Sequence, residues 1–173
     1  LTITAEDKSK TFGEADPEFT VTYAGLVNGE QATVLNGTLA FSRVSGEDVG
    51  TYAITASGLT SDNYAITFKT GTLTISKKSV VDQVFSIATI PSVVYTGLAQ
   101  RPEPEVKDGS KTMVLNTDYT LSYTANTNAG TATVRVTGIG NYSGTTTQTF
   151  TITKATLTIT AEDKSKTFGE ADP

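Results

Sequence analysis

Glu103 and Glu105 stand two apart in RPEPEV, a spacing that puts both carboxylates on one face of an extended segment and would let them work as an acid and base pair. No cleft or apolar surround is legible near them, and the flanking Pro102 and Pro104 instead fit an edge strand whose charges discourage sheet-to-sheet association. Asp16, Glu47, Asp48 and Asp62 lie near turns and could gather a calcium ion between neighbouring units. The sequence has no D-x-[DN]-x-[DN]-G loop, so solvated turn carboxylates are the simpler expectation. The mixed-charge run EDKSK, Glu6 to Lys10, reads as a solvated strand rim. Lysine and asparagine side chains could join in a spontaneous isopeptide bond, but none sits inside an apolar strand. Of the seven tyrosines, Tyr23, Tyr64, Tyr119 and Tyr123 continue an apolar alternation and belong to a core. Tyr95 and Tyr142, beside glycines near turns, are the two that could form an exposed platform for a sugar ring.

Cysteine, histidine and tryptophan are absent and Met113 is the single methionine. No disulfide, thiolate nucleophile, imidazole base or Cys/His metal cage can therefore be built; no cofactor, metal site or enzymatic activity is expected. Thirteen Lys and Arg against 18 Asp and Glu give a net charge of −5, which argues against nucleic acid and anionic lipid surfaces as partners. No apolar run is long enough to cross a bilayer. No signal-peptide pattern opens the chain, so an export signal is expected outside residues 1–173.

The elements that must carry these residues have one dominant period. Leu1, Ile3 and Ala5; Phe19, Val21 and Tyr23; Tyr64, Ile66 and Phe68; Tyr119, Leu121 and Tyr123; Ala132, Val134 and Val136; and Phe150 and Ile152 all recur at every second position, mostly against Thr. This is the pattern of strands half buried on a core. Asn28-Gly29, Asn36-Gly37 and Asp108-Gly109 supply turn chemistry between them. Many short strands so punctuated predict an all-β chain of antiparallel sandwiches.

Two internal similarities set the organisation. Gly50 to Ile75 and Gly130 to Ile152 share one order of features: strand, Gly-hydrophobic turn, Asn-Tyr, strand. They predict two related tandem units, at 1–78 and 79–155, with SKKSVVDQ (Ser76 to Gln83) as a polar joint freer to bend than the Gly-free and Pro-free stretch TITKATLTIT (Thr151 to Thr160). LTITAEDKSKTFGEADP then occurs at both Leu1–Pro17 and Leu157–Pro173 without a change. Residues 156–173 thus begin a further copy, at a period of 156 residues, and are expected to fray or to pair with the exposed edge of another chain.

DVGTY, Asp48 to Tyr52, has the D-x-G-x-Y form of a tyrosine corner, with Asp48, Gly50 and Tyr52 its structural residues. Ile54 stands where antibody domains carry a cysteine. In the second unit NAGTA places Ala132 at the position of the Tyr.

KTFGEADPEF, YAGLVNGE, SGEDVGTYAI and NYAITFKTGTLTI, within residues 1–75, resemble the MBG repeat of bacterial secreted and cell-surface proteins. YTGLAQRPEPEVKDG, NTDYTLSY and NTNAGTATVRVTGIGNYSG, within residues 84–154, are similar to the Ig-like repeats that accompany it in large bacterial surface proteins. The resemblance implies extracellular stalk or adhesin modules with no catalytic residues to carry over. The function expected is a spacer that holds a distal binding region away from the cell, with neighbouring repeats as its partners. The alternative is a binding module whose loops or strand edges hold a glycan or protein ligand.

Overall fold

A computed structural model describes residues 1–173 and consists of strands, with one 3-10 turn at Ala32–Val34. The first unit holds β1 (Thr2–Ala5), β2 (Lys8–Thr11), β3 (Val21–Ala24), β4 (Asn36–Arg43), β5 (Gly50–Thr60), β6 (Thr67–Lys69) and β7 (Gly71–Ser76). The second holds β8 (Lys78–Ser79), β9 (Phe85–Ile87), β10 (Val93–Val94), β11 (Val106–Asp108), β12 (Lys111–Thr112), β13 (Tyr119–Thr124), β14 (Gly130–Gly138), β15 (Tyr142–Ser143) and β16 (Thr145–Thr153).

In the first unit a sheet of order β3-β1-β6 faces one of order β2-β7-β5-β4. Between them lie Ala5, Ile54, Ala56, Leu73 and Ile75, flanked by Phe19, Val21, Leu39, Phe41 and Phe68. The alternation of β5 and β7 is what makes this possible, because every second side chain points to the same face. In the second unit the sheet β10-β16-β14-β13 stands with β12-β11-β9 and the two-stranded β15-β8. Ala132, Val134, Phe150 and Ile152 fill one part of its interior with Ile90, and Val80, Val106, Met113, Tyr119, Val136 and Tyr142 fill the other.

The sheets are mixed where an antiparallel arrangement was expected. Parallel pairs join β1 to β6, β2 to β7, β8 to β15 and β10 to β16. In the first unit the cause is a single N-terminal run that serves both sheets. It leaves one sheet after Ala5 and enters the other at Lys8, beside strands β6 and β7, which divide the same way. The crossing is healed by Glu6 N donating to Thr20 O at 2.9 Å and Thr72 N donating to Asp7 Oδ1 at 2.8 Å. A Cβ at Gly71 would lie 2.5 Å from the Ala5 carbonyl oxygen, so only glycine allows this close approach.

Three further expectations need correction. Tyr64 lies ahead of β6: Ser61 Oγ accepts from the amides of Asn63 and Tyr64 at 3.2 Å each and turns the chain there, and the Tyr64 hydroxyl ties down the Val27–Glu30 loop. The SKKSVVDQ joint is folded in, with β8 paired to β15, Val80 N donating to Ser143 O at 2.8 Å and Val80 buried. The two interiors also touch, because Phe12 packs against the buried clusters of both units. Beyond Thr153 no residue is in a strand, and residues 154–173 are exposed throughout.

Candidate functional site

Tyr52 lies near the start of β5, and its hydroxyl donates to the carbonyl of Asp48 at 2.8 Å, four residues back. The chain leading into Asp48 is shaped by Gly46 at φ +145°, where a Cβ would sit 2.3 Å from the tyrosine ring. Two residues on, Ile54 is fully buried. Ala132 is likewise fully buried in β14, so the second unit closes its core there without a phenol.

The turn that holds Tyr52 is also where the second unit attaches. Asn141 Oδ1 accepts from the amide of Val49 and Asn141 Nδ2 donates to Asp48 Oδ1, both at 2.8 Å. Asn141 O accepts from Lys78 N at 3.0 Å, which fixes the connecting strand to the same residue. The next side chain, Tyr142, is fully buried beneath Phe12 and Phe85, with ring centroids 5.4 and 5.7 Å away and interplanar angles of 77° and 90°. These edge-to-face contacts suit the charge distribution of aromatic rings. Lys111 Nζ lies 5.4 Å from both the Phe12 and the Tyr142 ring centroids. The Tyr142 hydroxyl donates to Asp108 at 3.3 Å, and Asp108 also takes Lys78 Nζ at 2.6 Å. Burial raises the Tyr142 phenol above its ordinary pKa.

Tyr142 is therefore no ligand platform. Its neighbouring glycines belong to a turn that presses the ring inward between units, a contact that short-range sequence signals do not contain. Tyr95 is 40 % exposed and stands without it. Glu103 and Glu105 both face outward, and Glu105 is engaged by Lys107 at 3.0 Å and by Thr112 at 3.1 Å. The lysine contact, then the threonine one, holds its carboxyl below the ordinary range.

Of the four carboxylates that might have met at a calcium ion, two come together around cations of the chain itself. Lys10 Nζ reaches Asp16 at 2.7 Å and Glu47 at 2.5 Å. Arg43 grips the same pair from the other side, with Nε 2.5 Å from Asp16 and Nη2 on Glu47. The Lys10 side chain is only 3 % exposed, a correction to the solvated rim expected of EDKSK: the loop through Asp16 folds back over β2. Asp48 is occupied by Asn141, and Asp62 lies exposed beyond β5.

A lysine amine beside an aspartate with a glutamate in reach has the atoms of an isopeptide site, yet the protonation is the reverse of what amide formation requires. Arg43 and then Lys10 hold Asp16 below the ordinary carboxylate range, and Asp16 and then Glu47 keep Lys10 charged to higher pH. An ammonium has no lone pair to attack with, and a carboxylate is a poor electrophile. The four residues form a clasp across the turn between β2 and β3, next to the tyrosine corner: Arg43 also donates to Gly46 O at 2.8 Å and lies 5.6 Å from the Tyr52 ring centroid.

No helix of the chain is long and apolar enough to cross a membrane. No curated protein matches the chain. The first unit alone, residues 1–74, matches the family model of the MBG domain (YGX type).

Proposed function

We propose that the chain provides spacer repeats of a large secreted or cell-surface bacterial adhesin-like protein, its MBG unit followed by an Ig-like surface repeat, and that it holds a distal binding region away from the cell without catalysing a reaction. The observation that carries this reading is the joint between the units. Two hydrogen bonds at the Asn141 side chain and an aromatic contact from Phe12 to Tyr142 hold the units together, and a short parallel ladder between β8 and β15 ties the connecting strand to the second unit. A spacer needs such a joint, since the reach of a freely bending chain grows only as the square root of its segment number. The reading as a glycan-binding module is weakened by the enclosure of Tyr142, which leaves Tyr95 as the only exposed ring of the pair.

Small-angle scattering on the chain tests the proposal. One inter-unit arrangement should fit the data at low and high salt alike. A profile that requires a mixture of inter-unit angles would overturn the reading of a stiff spacer.

A further inference from the structure

The strands that open the first unit lie beside the strands that close it, and both pairs are parallel. Thr2 stands opposite Thr67 and Thr4 opposite Lys69 in β1 and β6; Lys8 stands opposite Leu73 and Thr11 opposite Ser76 in β2 and β7. Leu1 and Ser76 therefore sit at opposite ends of the paired strands. Tension applied at these two residues draws β2 and β7 past each other along their length, so every rung is loaded at once. Antiparallel neighbours pulled from a shared end would open one rung at a time. Further contacts cross the same plane: β3 holds the other side of β1, Phe12 N donates to Ser76 O at 2.9 Å, Ser76 Oγ donates to Lys10 O at 3.2 Å, and Lys10 Nζ meets Glu47 at 2.5 Å.

The second unit is fastened unequally. Its exit strand β16 is paired with β14 from Thr145 opposite Thr137 to Ile152 opposite Gly130. Its entry strand β8 is paired with β15 at two positions only, Lys78 with Tyr142 and Ser79 with Ser143. The ladder bonds there are Lys78 N to Asn141 O at 3.0 Å and Val80 N to Ser143 O at 2.8 Å. The Lys78 to Asp108 bridge and the buried Val80 complete the hold, and the next four residues, Val81 to Val84, are all exposed. The bonds that Asn141 makes to Val49 and Asp48 share the load beside β8; once they open, tension falls on β8.

We propose that the chain carries a built-in order of yielding under tension: the second unit gives way first, by withdrawal of Lys78–Val80 from β15, while the shear-loaded first unit holds. Forced unfolding is governed by the barrier along the pulling direction and not by equilibrium stability, so the short entry ladder decides the order even though the second unit has a core of its own. Withdrawal also takes Val80 out of the cluster it shares with Val106, Met113, Tyr119, Val136 and Tyr142, which opens the rest of that unit. The proposal deepens the spacer reading, since only a chain under load uses this device. The order of yielding is measured independently of inter-unit angles, so a joint found to bend in solution would leave it standing.

Single-molecule stretching of the full chain, held through peptide tags at both ends, tests the order. Two unfolding steps are expected. The chain lacks cysteine, so Ser79→Cys and Ser143→Cys together place a lone pair of thiols on facing positions of β8 and β15, at a strand spacing of about 4.8 Å that a disulfide can bridge. The oxidised chain should lose the earlier step, leaving the first unit to yield at the force of the later one, and reduction should restore it. An earlier step that oxidation leaves unchanged would overturn the proposal. Two single variants assign the steps without thiols. Val80→Ala should lower the force of the earlier step alone, and Ile75→Ala, on β7, that of the later step alone. The reverse assignment, or one step for both units, would also overturn it.

Discussion

Asn141 and Asp48 meet across the two units, the amide Nδ2 of one donating to the carboxylate of the other at 2.8 Å, and the same Asp48 supplies the carbonyl that receives the Tyr52 hydroxyl. One residue thus closes the first unit's sandwich and docks the second. Asn141→Ala removes this bond and the acceptor for Val49 N, and is expected to cost about 1–2 kcal/mol. Hydrogen exchange checks where the loss falls. The Val49 amide should lose its protection, while the amides of β5 keep theirs. Asn141→Asp should be worse than Ala, because it places a second carboxylate against Asp48.

Phe12 and Tyr142 carry the apolar part of the joint. Tyr142→Ala empties a fully buried site and should destabilise the second unit by about 3–5 kcal/mol. Phe12→Ala should cost less, since Phe12 is only half buried. A double-mutant cycle on chemical denaturation isolates the contact itself. A coupling of about 0.5–1.5 kcal/mol is expected for an edge-to-face pair, and additive losses would mean that the rings are merely adjacent.

The contrast between Tyr52 and Tyr142 explains how far the sequence could be read. D-x-G-x-Y encodes a contact four residues long, and Tyr52 makes it. The strands of β5, β7, β14 and β16 are equally local in origin, since alternation at period two sets which face is buried. Tyr142 packs on Phe12 from 130 positions away, and nothing in its neighbours marks that. The burial of Lys10 is hidden for the same reason. EDKSK looks like a rim until Asp16, Arg43 and Glu47 arrive from two other segments. Parallel pairing was also hidden, because it depends on which strand a terminal run lies beside and leaves the alternation unchanged.

The clasp around Lys10 should make stability depend on pH at both extremes. Asp16 and Glu47 titrate below their ordinary values of 3.8 and 4.5, Asp16 through Arg43 and then Lys10, Glu47 through Lys10 and then Arg43. Their contribution is therefore complete above those values and is lost as pH falls through the lowered ones. Lys10 titrates above 10.5, through Asp16 and then Glu47, so its contribution is complete below 10.5 and is lost as pH rises through the raised value. Thermal unfolding from pH 7 to pH 2 should show a fall in midpoint below about pH 4. Arg43→Met should lower the midpoint at pH 7 and flatten that fall.

Because the same groups are held charged, Lys10 and Asp16 should remain unlinked. The intact mass should equal the sequence mass, and a species lighter by one water would show that an amide had formed between them. A Lys10→Met chain provides the control, since it can form no such bond and its mass cannot fall this way.

Gly46 and Tyr52 separate two contributions to the corner. Tyr52→Phe removes only the hydroxyl and its bond to Asp48 O, a loss of about 1 kcal/mol. Gly46→Ala meets a φ of +145° and a tyrosine ring 2.3 Å from the new Cβ, so it should cost about 1–3 kcal/mol in backbone strain and push the ring off its carbonyl. If the second effect is real, the Gly46→Ala and Tyr52→Phe losses overlap. The double variant should then lie closer to Gly46→Ala alone than to the sum, and equilibrium urea denaturation of the four chains decides it. Full additivity would mean that the ring keeps its bond to Asp48 and that Gly46 is needed for its backbone angle alone.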